Sequence, residues 1–168
     1  KGKIRGANVA QLIYYDDGVG AHETGLDRMW KGALGGGLER NIYEAYRFLA
    51  FNYVDGDEVC MFGFSRGAYT VRSLAGMIGR VGLVPRTEMK YIPAAMEAYR
   101  GSQADQKAFL RKTGQTDGTG EPVPRAIPIA LLGCWDTVGA RGLPDKIPWL
   151  SIDEWFKKKY QFHDTILG

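Results

Sequence analysis

Histidine is almost missing from this sequence, which has two, His22 and His163, in 168 residues. Cysteine is equally scarce, at two. No metal-ligand spacing is present, and Cys60 and Cys134, each inside an apolar run, are expected to be buried free thiols in preference to a disulfide. Long apolar runs are lacking as well, since none approaches the roughly 18 residues that cross a bilayer as a helix. Nor does one sign of charge dominate. A net charge of +3 scattered along the chain offers no patch for nucleic acid, and its one dense run, Lys157-Lys158-Lys159, reads first as a solvated helix face and second as a contact for anionic lipid headgroups. No signal-peptide pattern is present at Lys1, so localisation is not legible here.

What is abundant is glycine, with 23 residues on a background that is 45% hydrophobic. That length and composition support one sizeable core and are too small for two ordinary domains. The chain is organised around Glu58–Arg72. Its first half is a nearly continuous apolar run after the turn Asp55-Gly56-Asp57, which predicts a buried parallel strand. Its second half opens a helix. Between them lies Gly63-Phe64-Ser65-Arg66-Gly67, a G-x-S-x-G pentad at a strand-to-helix turn, the context of a nucleophile elbow. A serine hydroxyl attacks carbonyls only when it is held out from the backbone, within reach of a base and near donors for an oxyanion. A sharp turn supplies that presentation and forces Ser65 into a strained conformation, for which Gly63 and Gly67 are expected to be side-chain-free because strand and helix nearly touch. The helix N-terminus favours negative charge, and the N–H of Arg66 would be one oxyanion donor.

Taken in order, residues 1–8 read as a polar, loop-like start and Val9–Tyr15 as a strand ending in Asp16-Asp17-Gly18. Carboxylates there either cap a turn or position substrate at the sheet's functional rim. Residues 21–37 read as a glycine-rich rim loop. Leu38–Asn52 shows Ile42, Ala45, Tyr46 and Leu49 at helical spacing. The elbow helix should run from Arg66 to about Gly82, burying Ala68, Val71, Leu74, Ala75 and Ile78. Residues 93–113 form one or two helices with Ala94, Ala95, Ala98, Ala108, Phe109 and Leu110 as buried candidates, and 86–125 as a whole is a candidate cap over the site. Ile127–Trp135 reads as another apolar strand, with Pro128 near its start where a missing donor is tolerable. Ser151-Ile152-Asp153-Glu154 has the form of a capping box introducing a short helix through Tyr160.

Asp136 follows that later strand, the order and position of a triad acid, with a helix or turn cap as the alternative. A histidine base should come later still. His163 is the one candidate after Asp136, yet no following strand or glycine turn aims it. His22, on the rim loop, precedes the serine. The remaining source is sequence beyond this stretch. Only one strand is readable before the elbow, so the expected fold is α/β, an α/β-hydrolase-like parallel sheet with flanking helices and an incomplete core. No cofactor or metal is called for.

Tyr15-Asp-Asp-Gly-Val-Gly20, Asn41-Ile-Tyr-Glu-Ala-Tyr46, Gly56-Asp57-Glu58, Gly63-Phe-Ser-Arg-Gly-Ala-Tyr69 and Trp135-Asp-Thr-Val-Gly139 together resemble an α/β-hydrolase domain family that includes type VI secretion phospholipase effectors. The resemblance spans most of residues 9–140. It implies a serine esterase acting on phospholipids, with Ser65 as nucleophile, Asp136 as acid and a histidine from a later glycine-rich motif that has no counterpart here. It also implies a lipid or membrane-surface substrate, a secretion-apparatus or immunity protein as partner, and export without a signal peptide. From the residues alone, two alternatives stay open: an esterase or thioesterase for small soluble acyl groups, and a catalytically inactive binding module.

Overall fold

The computed structural model of the protein describes residues 2–4, 7–17, 38–125 and 127–135. Two short strands, β1 (Gly2–Ile4) and β2 (Ala7–Val9), pair antiparallel with Ile4 opposite Ala7. Helix α1 spans Leu38–Asn52, as its apolar spacing predicts. Strand β3 (Val59–Phe64) runs into helix α2 (Arg66–Val81) with one residue, Ser65, between them. A 3₁₀ segment (Arg86–Tyr91), helix α3 (Ile92–Arg100) and helix α4 (Gln103–Lys112) follow. Strand β4 (Ile129–Trp135) then returns to pair parallel with β3. Parallel pairing requires a long crossover, and α2 to α4 provide it.

Burial of one helical stripe holds these elements together. Ile42, Ala45 and Tyr46 of α1 join Leu74, Ala75, Met77, Ile78 and Val81 of α2 in one cluster with Ile92, Ala95, Met96, Tyr99, Phe109 and Leu110. At roughly 1.5–3 kcal/mol for each fully buried large side chain, this cluster is the main source of stability. Two buried polar side chains, those of Tyr46 and Gln115, are hydrogen-bonded to the backbone beside it. The Tyr46 hydroxyl donates to the carbonyl of Gly82 at 2.8 Å and accepts from the Val84 N–H at 3.0 Å, which ties α1 to the end of α2. Gln115 does the same from the other side: its amide donates to Val81 O and Thr113 Oγ1, both at 3.0 Å, while its carbonyl accepts from Arg125 N at 2.7 Å. Gly82, at φ 70°, closes α2, and a Cβ there would overlap Gln115 Oε1.

Several sequence expectations need correction. Residues 1–8 are not simply loop, since β1 and β2 form there; polar side chains hid the pairing. Val9–Tyr15 is not a strand beyond Val9. Residues 10–17 have no ladder partner among the described residues and are exposed, Leu12, Ile13 and Tyr15 included, although Tyr14 rests against the Phe48 ring with centroids 5.2 Å apart. Ala108 is exposed, because the buried stripe of α4 is formed by Phe109 and Leu110.

β3 is not buried on both faces either. Val59 and Met61 are buried, whereas Cys60, Phe62 and Phe64, which alternate with them, are exposed. Cys60 and Cys134 are free, as expected, but both exposed. Cys60 lies on the uncovered face. Cys134, opposite Gly63, faces α2, where its Sγ lies 3.9 Å from Ala68 O. The residues called rim loop (21–37) and the segment after Trp135, including the capping box at Ser151 and Lys157–Lys159, lie outside the described residues.

Candidate active site

The site is built from the end of β3, the start of α2 and the end of β4. Ser65 has φ 52° and ψ −113°, and it is the one non-glycine with positive φ among the described residues. Such a conformation costs an L-residue about 1–3 kcal/mol and persists only where its surroundings over-determine it. Three contacts do so. The Ser65 N–H donates to Trp135 O at 2.8 Å, and the Ser65 carbonyl accepts from Tyr69 N at 3.3 Å. On the strand side, a Cβ on Gly63 would overlap the carbonyl of Gly67 and come within 2.5 Å of Ala68 N. Strand and helix therefore touch at Gly63, as the pentad predicts.

Gly67 differs from expectation. A Cβ there would meet nothing within 4 Å, because the close approach uses its backbone and leaves its side-chain direction open. Only the first glycine of the pentad is sterically required.

The Ser65 side chain makes no cap bond to the helix it precedes, so its hydroxyl is not occupied by the structural role that serine commonly plays there. The first turn of α2 contains no acid. Arg66 occupies the first helical position, with its N–H among the unpaired donors of a helix start. Its Nη1 is buried and has no hydrogen-bond partner among the described residues. Asp16 and Asp17 are exposed; Asp16 accepts from Asn41 Nδ2 at 2.9 Å, which fixes the 10–17 segment to α1.

The end of β4 is set by the ladder. Gly63 lies opposite Cys134 and Phe64 opposite Trp135. The Trp135 ring stacks on Phe62 with centroids 6.0 Å apart and planes at 20°, in space a Cβ on Gly133 would invade. Trp135, whose backbone oxygen holds Ser65, was missed as a site residue; its place directly before Asp136 was the available signal. Asp136, His22 and His163 lie outside the described residues. Among those described, no group of three or more His, Cys, Asp or Glu side chains is arranged to hold a metal ion.

The family model described as "T6SS, Phospholipase effector Tle1-like, catalytic domain" matches residues 2–168. The chain belongs to this family. A relative from Saccharomyces cerevisiae, the uncharacterized protein YEL023C, is 31% identical over 115 residues, covering 61% of this chain and 17% of the relative. The chain thus spans about a sixth of the length of that curated relative. No solved structure matches it. Membership of the Tle1-like family agrees with the resemblance that the separated motifs carry.

Proposed function

We propose that this chain is the nucleophile-bearing part of an α/β-hydrolase core that cleaves carboxylic esters of phospholipids through an acyl-enzyme on Ser65. The observation that carries the reading is the strained Ser65 at the junction of a parallel strand and a helix, its hydroxyl free of any cap. Family membership supports the substrate class.

In this reading Ser65 Oγ attacks the ester carbonyl carbon and its proton passes to a histidine. The carbonyl oxygen becomes an oxyanion near the Arg66 N–H, where the helix start favours negative charge. The tetrahedral intermediate collapses, the alcohol leaves as the lysophospholipid after taking the proton from the imidazolium, and water then releases the fatty acid from Ser65. Asp136, the next residue after Trp135, would orient that histidine and stabilise the imidazolium. His163 or a residue beyond this stretch supplies the base. Asp16 and Asp17 would help position the substrate.

Release of fatty acid from phospholipid vesicles, compared with hydrolysis of short p-nitrophenyl esters, tests the assignment. Vesicle hydrolysis abolished by Ser65→Ala is the expected result. Cleavage of the soluble esters alone would replace the lipid reading with that of a small-acyl esterase. Failure of a fluorophosphonate to label Ser65 would point to a binding module.

A further inference from the structure

Arg66, the first residue of α2, stands where electrostatics disfavours it twice over. A helix start carries partial positive charge, so cations are stabilising at the other end, where α2 has Arg80 and α3 has Arg100. The residue is also half-buried, and its Nη1 is shut off from water with no hydrogen-bond partner among the described residues. A donor buried on a cation and left unpaired is costly. No described carboxylate forms an ion pair with Arg66, although Arg100 pairs with Glu39 and Arg125 with Asp55. Arg80 and Arg86 in turn lie over the rings of Tyr99 and Phe51.

Local rules broken without a structural return mark functional positions, and this position is next to Ser65. A bound anion would offset both costs. The planar fork of a guanidinium matches the oxygens of a phosphate bidentately, and the N–H groups at the start of α2 favour negative charge beside it. A phospholipid carries its phosphodiester a few covalent bonds from the ester carbon that Ser65 would attack.

On the phospholipid reading of Ser65, we propose that the Arg66 side chain binds the phosphate of the substrate and so selects phosphate-bearing esters over neutral ones. The residue then has two separate duties: its backbone N–H serves the oxyanion and its guanidinium the phosphate.

Two substrates with the same acyl chains separate those duties: dioctanoyl phosphatidylglycerol and dioctanoylglycerol, presented in the same neutral detergent micelles. In the whole chain, Arg66→Gln should lower kcat/KM for the phospholipid relative to the neutral ester by about 10- to 100-fold, mainly through KM. Arg66→Lys, which keeps the charge without the fork, should recover part of that ratio. An unchanged ratio overturns the proposal even where both activities fall, because the residue then serves the oxyanion alone. Thermal unfolding tests for a structural role. Arg66→Gln should melt no lower than the parent, since it removes a charge that has no partner. A clear fall in Tm overturns the proposal, because a carboxylate of the chain itself then holds the guanidinium.

Binding without turnover separates this site from the reaction. In the Ser65→Ala chain, calorimetry with dihexanoyl phosphatidylcholine below its micellar concentration should show saturable binding that Arg66→Gln weakens by about tenfold or more. Binding of inorganic phosphate with none of the phosphodiester overturns the proposal in favour of a site for free phosphate. A parent chain that binds the phosphodiester through Arg66 and hydrolyses neither ester would remove the esterase reading and leave this site standing. Hydrolysis of the phospholipid with an unchanged ratio in Arg66→Gln would do the reverse.

Discussion

Ser65 donates its backbone N–H to the carbonyl of Trp135 at 2.8 Å, so the residue with the strained backbone is fastened by the residue that precedes Asp136. One hydrogen bond links the start of the elbow helix to the end of the neighbouring strand. Because Phe64 pairs with Trp135 in a parallel register, both strands end at the same edge of the ladder. Ser65 therefore sits beside the end of β4.

Strain at Ser65 separates its chemical role from its structural one. Ser65→Ala removes the hydroxyl and keeps the strain; Ser65→Gly removes both, since glycine tolerates positive φ. Both variants should lose vesicle hydrolysis and fluorophosphonate labelling. Ser65→Gly should be more stable than Ser65→Ala by about 1 kcal/mol in urea unfolding. Equal stability would mean that the conformation at this position carries no strain.

The two glycines of the pentad should respond in opposite ways. Gly63→Ala forces a methyl into the backbone of Gly67 and Ala68, and overpacking of that kind costs about 1–3 kcal/mol or more. Gly67→Ala enters open space in the first turn of a helix and should be neutral or stabilising by up to about 1 kcal/mol. Thermal unfolding of the two variants beside the parent chain checks this, and a Gly67→Ala as damaging as Gly63→Ala would refute it.

That contrast shows what was legible in the sequence. Positive φ at Ser65 and the close approach at Gly63 follow from the pentad, because few residue types fit such a turn. The α1 and α2 helices follow from three- and four-residue apolar spacing, and β3 and β4 from short apolar runs. Exposure of Cys60 and Phe62 was not legible, because a run of apolar residues states that a strand can be covered on both faces and not which layer covers it. The 10–17 segment misled for a related reason. Leu12, Ile13 and Tyr15 carry strand propensity, but a strand exists only where a ladder partner is present, and that is a non-local fact. Ala108 failed by one residue of helical phase, with Phe109 and Leu110 taking the core positions.

The capping box of α4 makes a pH prediction. Asp105 accepts from the Ser102 hydroxyl at 2.6 Å and from its N–H at 2.8 Å, and the hydroxyl bond, followed by the backbone bond, holds its carboxyl below the usual value of 3.8. A depressed folded pKa contributes stability that is present above 3.8 and lost as pH falls below 3.8 through the folded value. Asp105→Asn should therefore lower Tm at neutral pH, and the difference from the parent chain should shrink as the pH is taken below 3.8. A difference that stays constant across that range would refute the charge-based account.

Asp136 provides the sharpest test of the triad reading, because its two possible roles predict different variants. If it orients a histidine and stabilises the imidazolium, Asp136→Asn preserves shape but favours the wrong tautomer, and kcat for vesicle hydrolysis should fall by about 10⁴. Stability and KM should change little. If Asp136 instead caps a turn, asparagine is an equally good cap, and kcat should remain within a few-fold of the parent value. Asp136→Glu adds a second distinction. The carboxylate is retained one methylene further out, so partial recovery of kcat relative to Asp136→Asn is expected from a charge acting on imidazolium. An Asp136→Asn variant with parental kcat would remove Asp136 from the mechanism and leave Ser65 to be activated by a base and acid from elsewhere.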